Sequence, residues 1–154
     1  MTHNELKDAV KEALRAHDEI RLLVLRGLLA AGTNELVAKG RKPTDELTPE
    51  DVQALIRRGV KQRKDSIEQF GRGGREDLAA KERAELAILE SLLPPDMPRH
   101  EVEKVVRAKA SALGITDRSK SGQLMGAVMK ELKGRVDGEV VKEVVEVLFS
   151  TFVA

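Results

Sequence analysis

Apolar residues along the chain recur at three- and four-residue spacing almost everywhere, and nowhere do they alternate with polar ones over a useful length, so the pattern predicts helices and no sheet. The first predicted helix carries Leu6, Val10 and Leu14. His17 and Asp18 introduce a second, whose stripe runs through Ile20, Val24, Leu28 and Leu36, and Gly40 closes it as a C′ glycine does. The third opens on Thr48-Pro49-Glu50-Asp51: the threonine can cap, proline suits a first turn whose N–H groups are unpaired anyway, and the acids favour the positive end of the helix dipole. Its apolar face reads Val52, Leu55, Ile56, Val60, Ile67, Phe70, and the glycine cluster at 71–74 stops it. Leu78, Leu86, Leu89 and Leu93 carry a fourth helix to Pro94-Pro95, which it cannot pass.

Prolines 94, 95 and 98 remove donors and stiffen the chain, so they mark the expected boundary between an N-terminal four-helix region, 1–96, and a C-terminal domain, 97–154. In the second part Pro98 starts a helix along Val102, Val105, Val106 and Leu113, ended by Gly114. The next runs through Leu124, Val128 and Leu132 to Gly134, and the last from near Asp137 through Val140, Val141, Val144, Val145, Leu148 and Phe152. The expected fold is all-α, a multi-helix region followed by a three-helix bundle at the lower edge of independent stability.

Composition narrows the function classes. The 154 residues are 41% apolar and 34% charged with a net charge of +1, so no global field announces a nucleic acid or a membrane, and an anionic partner must meet a local patch. There is no cysteine, hence no disulfide framework and no thiol nucleophile. Phe70, Phe149 and Phe152 are the whole aromatic content, which excludes a stacking platform for single-stranded bases. The first residues carry acids, and no apolar run approaches the ~18 residues of a membrane span, so the expected compartment is cytoplasmic and no membrane partner is expected.

Charge is uneven locally. Between Lys104 and Arg135 eight cations face only Asp117 and Glu131, a local net of +6, whereas from Asp137 to Glu146 four acids face Lys142. Arg57, Lys61 and Lys64 share a helix face at i, i+4, i+7 and form a second cationic ridge. Both clusters read either as contacts for phosphate or as solvated faces, the ridge because Lys61 can pair with Asp65, and Lys64 with Glu68, one turn on. The acids Glu82, Glu85 and Glu90 are spaced for pairing along a helix. His3, His17 and His100 stand apart along the chain and are expected at surfaces or helix ends, and GRGGR at 71–75 lacks the context of a phosphate loop. No catalytic residue, metal site or cofactor is expected.

The stretch KGRVDG, 133–138, is explained as a turn: Gly134 supplies the left-handed residue that ends one helix, and Asp137 caps the next. Lys133 and Arg135 are required by neither task. With Lys130 before them, and Lys120 and Gln123 at the start of the same helix, they make the candidate contact for an anionic partner.

The runs LIRRGVKQRKDSIEQFGRGGREDLAAKERAELAILESLLP (55–94) and SGQLMGAVMKELKGRVDGEVVKEVV (121–145) resemble the GatB/YqeY-type proteins, with QRKDSIEQF, GREDL, ESLLP and the terminal KGRxDG carrying the likeness. The resemblance implies a small, all-helical, cytosolic protein whose C-terminal part is similar to the tail domain of the B subunit of glutamine-dependent tRNA amidotransferase. That tail is implicated in holding tRNA, and its glycine and lysine pattern falls here on Gly122, Gly126, Val128, Met129, Lys130, Lys133 and Gly134. Leu92 stands where the family shows tyrosine. Three readings follow: a non-catalytic module that binds tRNA or structured RNA, a protein-interaction adaptor docking on an amidotransferase subunit or another protein, and, on the family's association alone, part of a carbon-nitrogen ligase using glutamine as amido donor.

Overall fold

The computed structural model describes residues 1–152, the side chain of Phe152 excepted, and they form α-helices, one short 3-10 turn and no strand. Two compact units divide at the prolines, Met1–Leu93 and Pro94–Ala154.

The first unit holds α1 (His3–Arg15), α2 (Glu19–Ala38), α3 (Pro49–Arg72) and α4 (Glu76–Ser91). Thr2 opens α1 with a reciprocal capping box to Glu5, and Thr48 opens α3 with the same device to Asp51, each pair satisfying two otherwise orphaned donors. Asp18 caps α2 by accepting from the Arg21 N–H at 3.0 Å. The stop of α2 is a Schellman turn: Gly40 has φ +70°, its N–H donates to the Val37 carbonyl, and the Arg41 N–H reaches back to Leu36. At the end of α1 the same turn places His17 at φ +53°, a conformation glycine enters at far lower cost.

The helices pack α1 on α2 and α3 on α4, and α2 touches both members of the second pair. Their core contains Leu6, Leu25, Leu36, Val52, Leu55, Ile56 and Leu89. Two expectations fail here for one reason. Residues spaced strictly by four drift about 40° per step around a helix, so Leu14, at the far end of a stripe begun at Leu6, and Ile20, at the opposite end of its stripe from Leu36, turn outward and are 52% and 47% exposed. Alanines take the space instead: α1 buries Ala9 and Ala13 beside Leu6. His3 departs from the surface expectation too, because it is buried where α1 meets the 39–48 connection.

The second unit holds α5 (Arg99–Ala112), α6 (Ser121–Glu131) and α7 (Gly138–Phe152), packed pairwise around Val102, Val106, Leu124, Val128, Val141, Val145 and Phe149. Phe152, expected on the same stripe, has its side chain outside the described residues. Leu113 is not core. It is the C-cap residue of α5, and after Gly114, at φ +61°, it is Ile115 that folds back into the interior.

Candidate nucleic-acid interface

The residues singled out around KGRVDG belong to α6 and the segments at its two ends. At the start, the Asp117 carboxylate accepts from the Ser119 N–H at 2.9 Å and shapes the 3-10 turn Arg118–Lys120 that feeds the helix. That backbone bond, then the Ser119 side chain, then Lys120, hold the Asp117 carboxyl below its ordinary pKa. Lys120 occupies the N-cap position of α6 without supplying a side-chain cap. Leu124 and Val128 face the core, which leaves Gln123 and Lys130, seven residues apart, exposed on one outer face. Gly122 and Gly126 are exposed as well, and a Cβ added to either meets no other atom within 4 Å.

At the far end Gly134, with φ +77°, turns the chain, and the Arg135 N–H donates to the Leu132 carbonyl at 2.9 Å. The Arg135 carbonyl accepts from the Met97 N–H at 2.8 Å, so the turn is tied to the segment that leads into α5. Val136 is buried, and the Asp137 carboxylate accepts from the Glu139 N–H at 3.0 Å in the first turn of α7. With their backbone thus held, the side chains of Lys133 and Arg135 stand exposed on either side of Gly134.

Their charges are unspent. Of the eight cations between Lys104 and Arg135, Lys109 alone has a carboxylate partner among the described residues, Glu131 at 2.6 Å. The first unit differs. There Arg58 meets Glu35 at 3.3 Å, Arg63 meets Glu85 at 2.8 Å and Glu82 at 3.4 Å, and Lys39 meets Glu35 at 2.8 Å.

A family model described as Yqey-like protein matches residues 3–149. The chain belongs to that family. Relatives bearing the name Altered inheritance of mitochondria protein 41, mitochondrial, occur in Pyrenophora tritici-repentis, at 33% identity over 92% of this chain and 77% of the relative, and in Saccharomyces cerevisiae, at 31% over 86% and 68%. The Kluyveromyces lactis relative of the same name is 34% identical over 86% of this chain and 67% of its own length. These names overturn the cytoplasmic expectation: composition and the want of an apolar span do not report on compartment, and the relatives are named as mitochondrial. Among the described residues no helix of this Yqey-like chain is long and apolar enough to cross a membrane.

The second candidate cluster fares differently. In this Yqey-like chain Lys64 pairs across to Glu90 of α4 at 3.7 Å rather than with Glu68, which pairs with Arg72, while Lys61 stays exposed and forms no ion pair with Asp65. Arg57 is half-buried, with its Nε enclosed by protein. The three residues share a helix face without forming a uniform free ridge. Glu82, Glu85 and Glu90 look across to α3 instead of along their own helix, and the cation that receives the first two, Arg63, was not distinguished in sequence from its neighbours in RRGVKQRK. Leu92, where the resemblance implies tyrosine, is the buried C-cap residue of α4. A cleft of about 630 Å³ lies between α2 and α3, and its charged lining residues Glu35, Lys39, Arg58 and Arg63 are held in the ion pairs just described.

Proposed function

We propose that the second unit is a non-catalytic module that binds tRNA or similarly structured RNA, with α6 laid against the phosphate backbone. The observation that carries this reading is the set of exposed, unpaired cations at both ends of one short helix: Lys120 before it, Lys130 in its last turn, Lys133 and Arg135 beyond. An isolated cation beside a helix C-terminus has a motive in the dipole. Lys120 at the positive end has no such motive, because the dipole there repels it and only the exposed Asp117 nearby attracts it. The exposed glycines point the same way. Gly126, in the interior of α6, costs the helix about 1 kcal/mol relative to alanine, and nothing in the unit occupies the space above it or above Gly122, so their gain lies in letting another molecule approach the backbone closely. With so few aromatic side chains, recognition works through shape and phosphate contacts rather than base stacking.

The experiment is tRNA binding at graded salt, measured for the natural chain, for the double variant Lys133→Glu, Arg135→Glu, and for Gly126→Ala. The double variant keeps its fold, since both side chains are exposed, and binds more weakly, with the log-log salt dependence flattened by roughly one unit for each phosphate-contacting cation removed. Gly126→Ala has effects of opposite sign, raising helix stability by about 1 kcal/mol while weakening tRNA binding. If the natural chain binds no tRNA even at low salt, the reading fails and the adaptor reading takes its place. Salt-insensitive capture of an amidotransferase subunit would support that alternative.

A further inference from the structure

Helix α2 is apolar on two opposite faces. Its inward face, with Leu25 and Leu36, lies in the core. Amphipathic helices of a lone domain place polar residues opposite such a face, yet here the outer side carries Leu23 at 62% exposure and Val37 at 54%, with Ile20 half exposed. Between them Gly27, Ala30 and Asn34 are exposed too. The six residues 20, 23, 27, 30, 34 and 37 step by three and four alternately, the seam of a coiled coil, and no ionisable residue interrupts it. A seam of that period fits another α-helix, because only a helix offers holes at the same spacing.

We propose that the outer face of α2 pairs with α2 of a second copy of this chain, the two helices parallel and related by a two-fold axis. Three features select a like partner. Ile20 at one seam position with Leu23 at the alternate one is the combination that favours two parallel strands. Asn34 is the lone polar residue of the seam, and a parallel two-fold sets its amide against the same amide of the other copy, where each donates to the other. An antiparallel pair would set it against Leu23 and leave a covered amide without a partner. Gly27, whose missing Cβ would meet nothing within 4 Å in its own chain, lies at the middle of the seam, where two backbones come closest. Arg26, beside the seam, falls opposite Ala31 of the other copy in this arrangement, so no like charges meet. One face of a helix about 30 Å long is smaller than the roughly 800 Å² per partner of a standard interface, which makes the pair weak and concentration-dependent.

The test is sedimentation of the full chain from about 5 to about 500 µM. The natural sequence shifts from monomer toward dimer over that range, and Leu23→Glu with Val37→Glu remains monomeric with unchanged helix content, both positions being exposed and outside the core. Orientation is read from a single-cysteine variant, since the chain has no cysteine of its own: Asn34→Cys treated with diamide gives a disulfide-linked dimer when the helices are parallel. A natural chain that stays monomeric throughout overturns the proposal, as does a dimer that survives the double variant. A dimer that Asn34→Cys fails to link overturns the parallel arrangement.

Discussion

His3 closes the first unit in a way that can be measured by removing it. Its ring sits at the first position of α1, and Nδ1 accepts from the backbone N–H of Leu47 at 3.1 Å, which leaves the proton of the neutral ring on Nε2. Leu47 is itself buried and packs over Gly32 of α2 so closely that a Cβ there would come within 2.5 Å of its Cδ1. Replacing His3 by alanine strands a buried donor, which costs about 1–3 kcal/mol, and loosens the leucine that fills the notch above Gly32. Chemical denaturation of the full chain at pH 7.5 is the assay. A loss below about 0.5 kcal/mol would mean that the Leu47 N–H finds another acceptor and that the clasp contributes little. The pH dependence follows from the same geometry. Burial, then Lys7, lower the His3 pKa from its ordinary value of 6.5, with Glu46 opposing them. In the window below 6.5 the unfolded chain therefore takes up a proton that the folded ring refuses, so the stability from His3 is present above 6.5 and is lost as pH falls through the lowered folded-state value. His3→Gln retains an acceptor and cannot titrate, so its stability varies less between pH 7.5 and 5.5 than that of the natural chain. Equal pH profiles would refute the reasoning.

Two further substitutions test the turns. His17→Gly relieves the left-handed backbone at the end of α1, and after the extra chain entropy glycine loses on folding it should raise stability by about 0.5–1 kcal/mol, read as an increase in denaturation midpoint. Asp137→Ala removes the acceptor for the Glu139 N–H and should lower stability by about 0.5–2 kcal/mol while leaving tRNA affinity unchanged or slightly higher, and unchanged stability with lost binding would make Asp137 a contact residue instead.

Helix existence and most helix ends were legible in the sequence because they are local. Thr48-Pro49-Glu50-Asp51 caps α3 through its own side chains, and Gly40, Gly114 and Gly134 each take the positive φ that only the local backbone demands. Most of each inward stripe was legible too, Val52, Leu55, Ile56 and Val60 among them, but not its ends or the small residues that complete it. Leu14 and Ile20 look like core by spacing, while Ala9, Ala13 and Ile115 lie inside because neighbouring helices come close there. The buried His3 was illegible for the same reason: its partner, Leu47, is 44 residues away. At the candidate interface, sequence located the cations between Lys104 and Arg135 and the turn at Gly134, but not which charges are free. That depends on carboxylates from other helices, as Arg63 with Glu85 and Lys64 with Glu90 illustrate.

The 24-residue α3 is uneven along its length. Its fully buried residues, Val52, Leu55, Ile56 and Val60, all lie in the first half, and beyond them Ile67 and Phe70 are only half covered, with ion pairs to α4 supplying much of the remaining contact. One continuous helix therefore spans two regimes of protection. Amides around Val52 to Val60 should exchange with solvent mainly when the whole unit opens, whereas those past Arg63 should exchange through local fraying that leaves the core intact. The α3–α4 hairpin should therefore open from its tip inward, which makes its glycine turn at 71–74 an expected site of nicking by a protease.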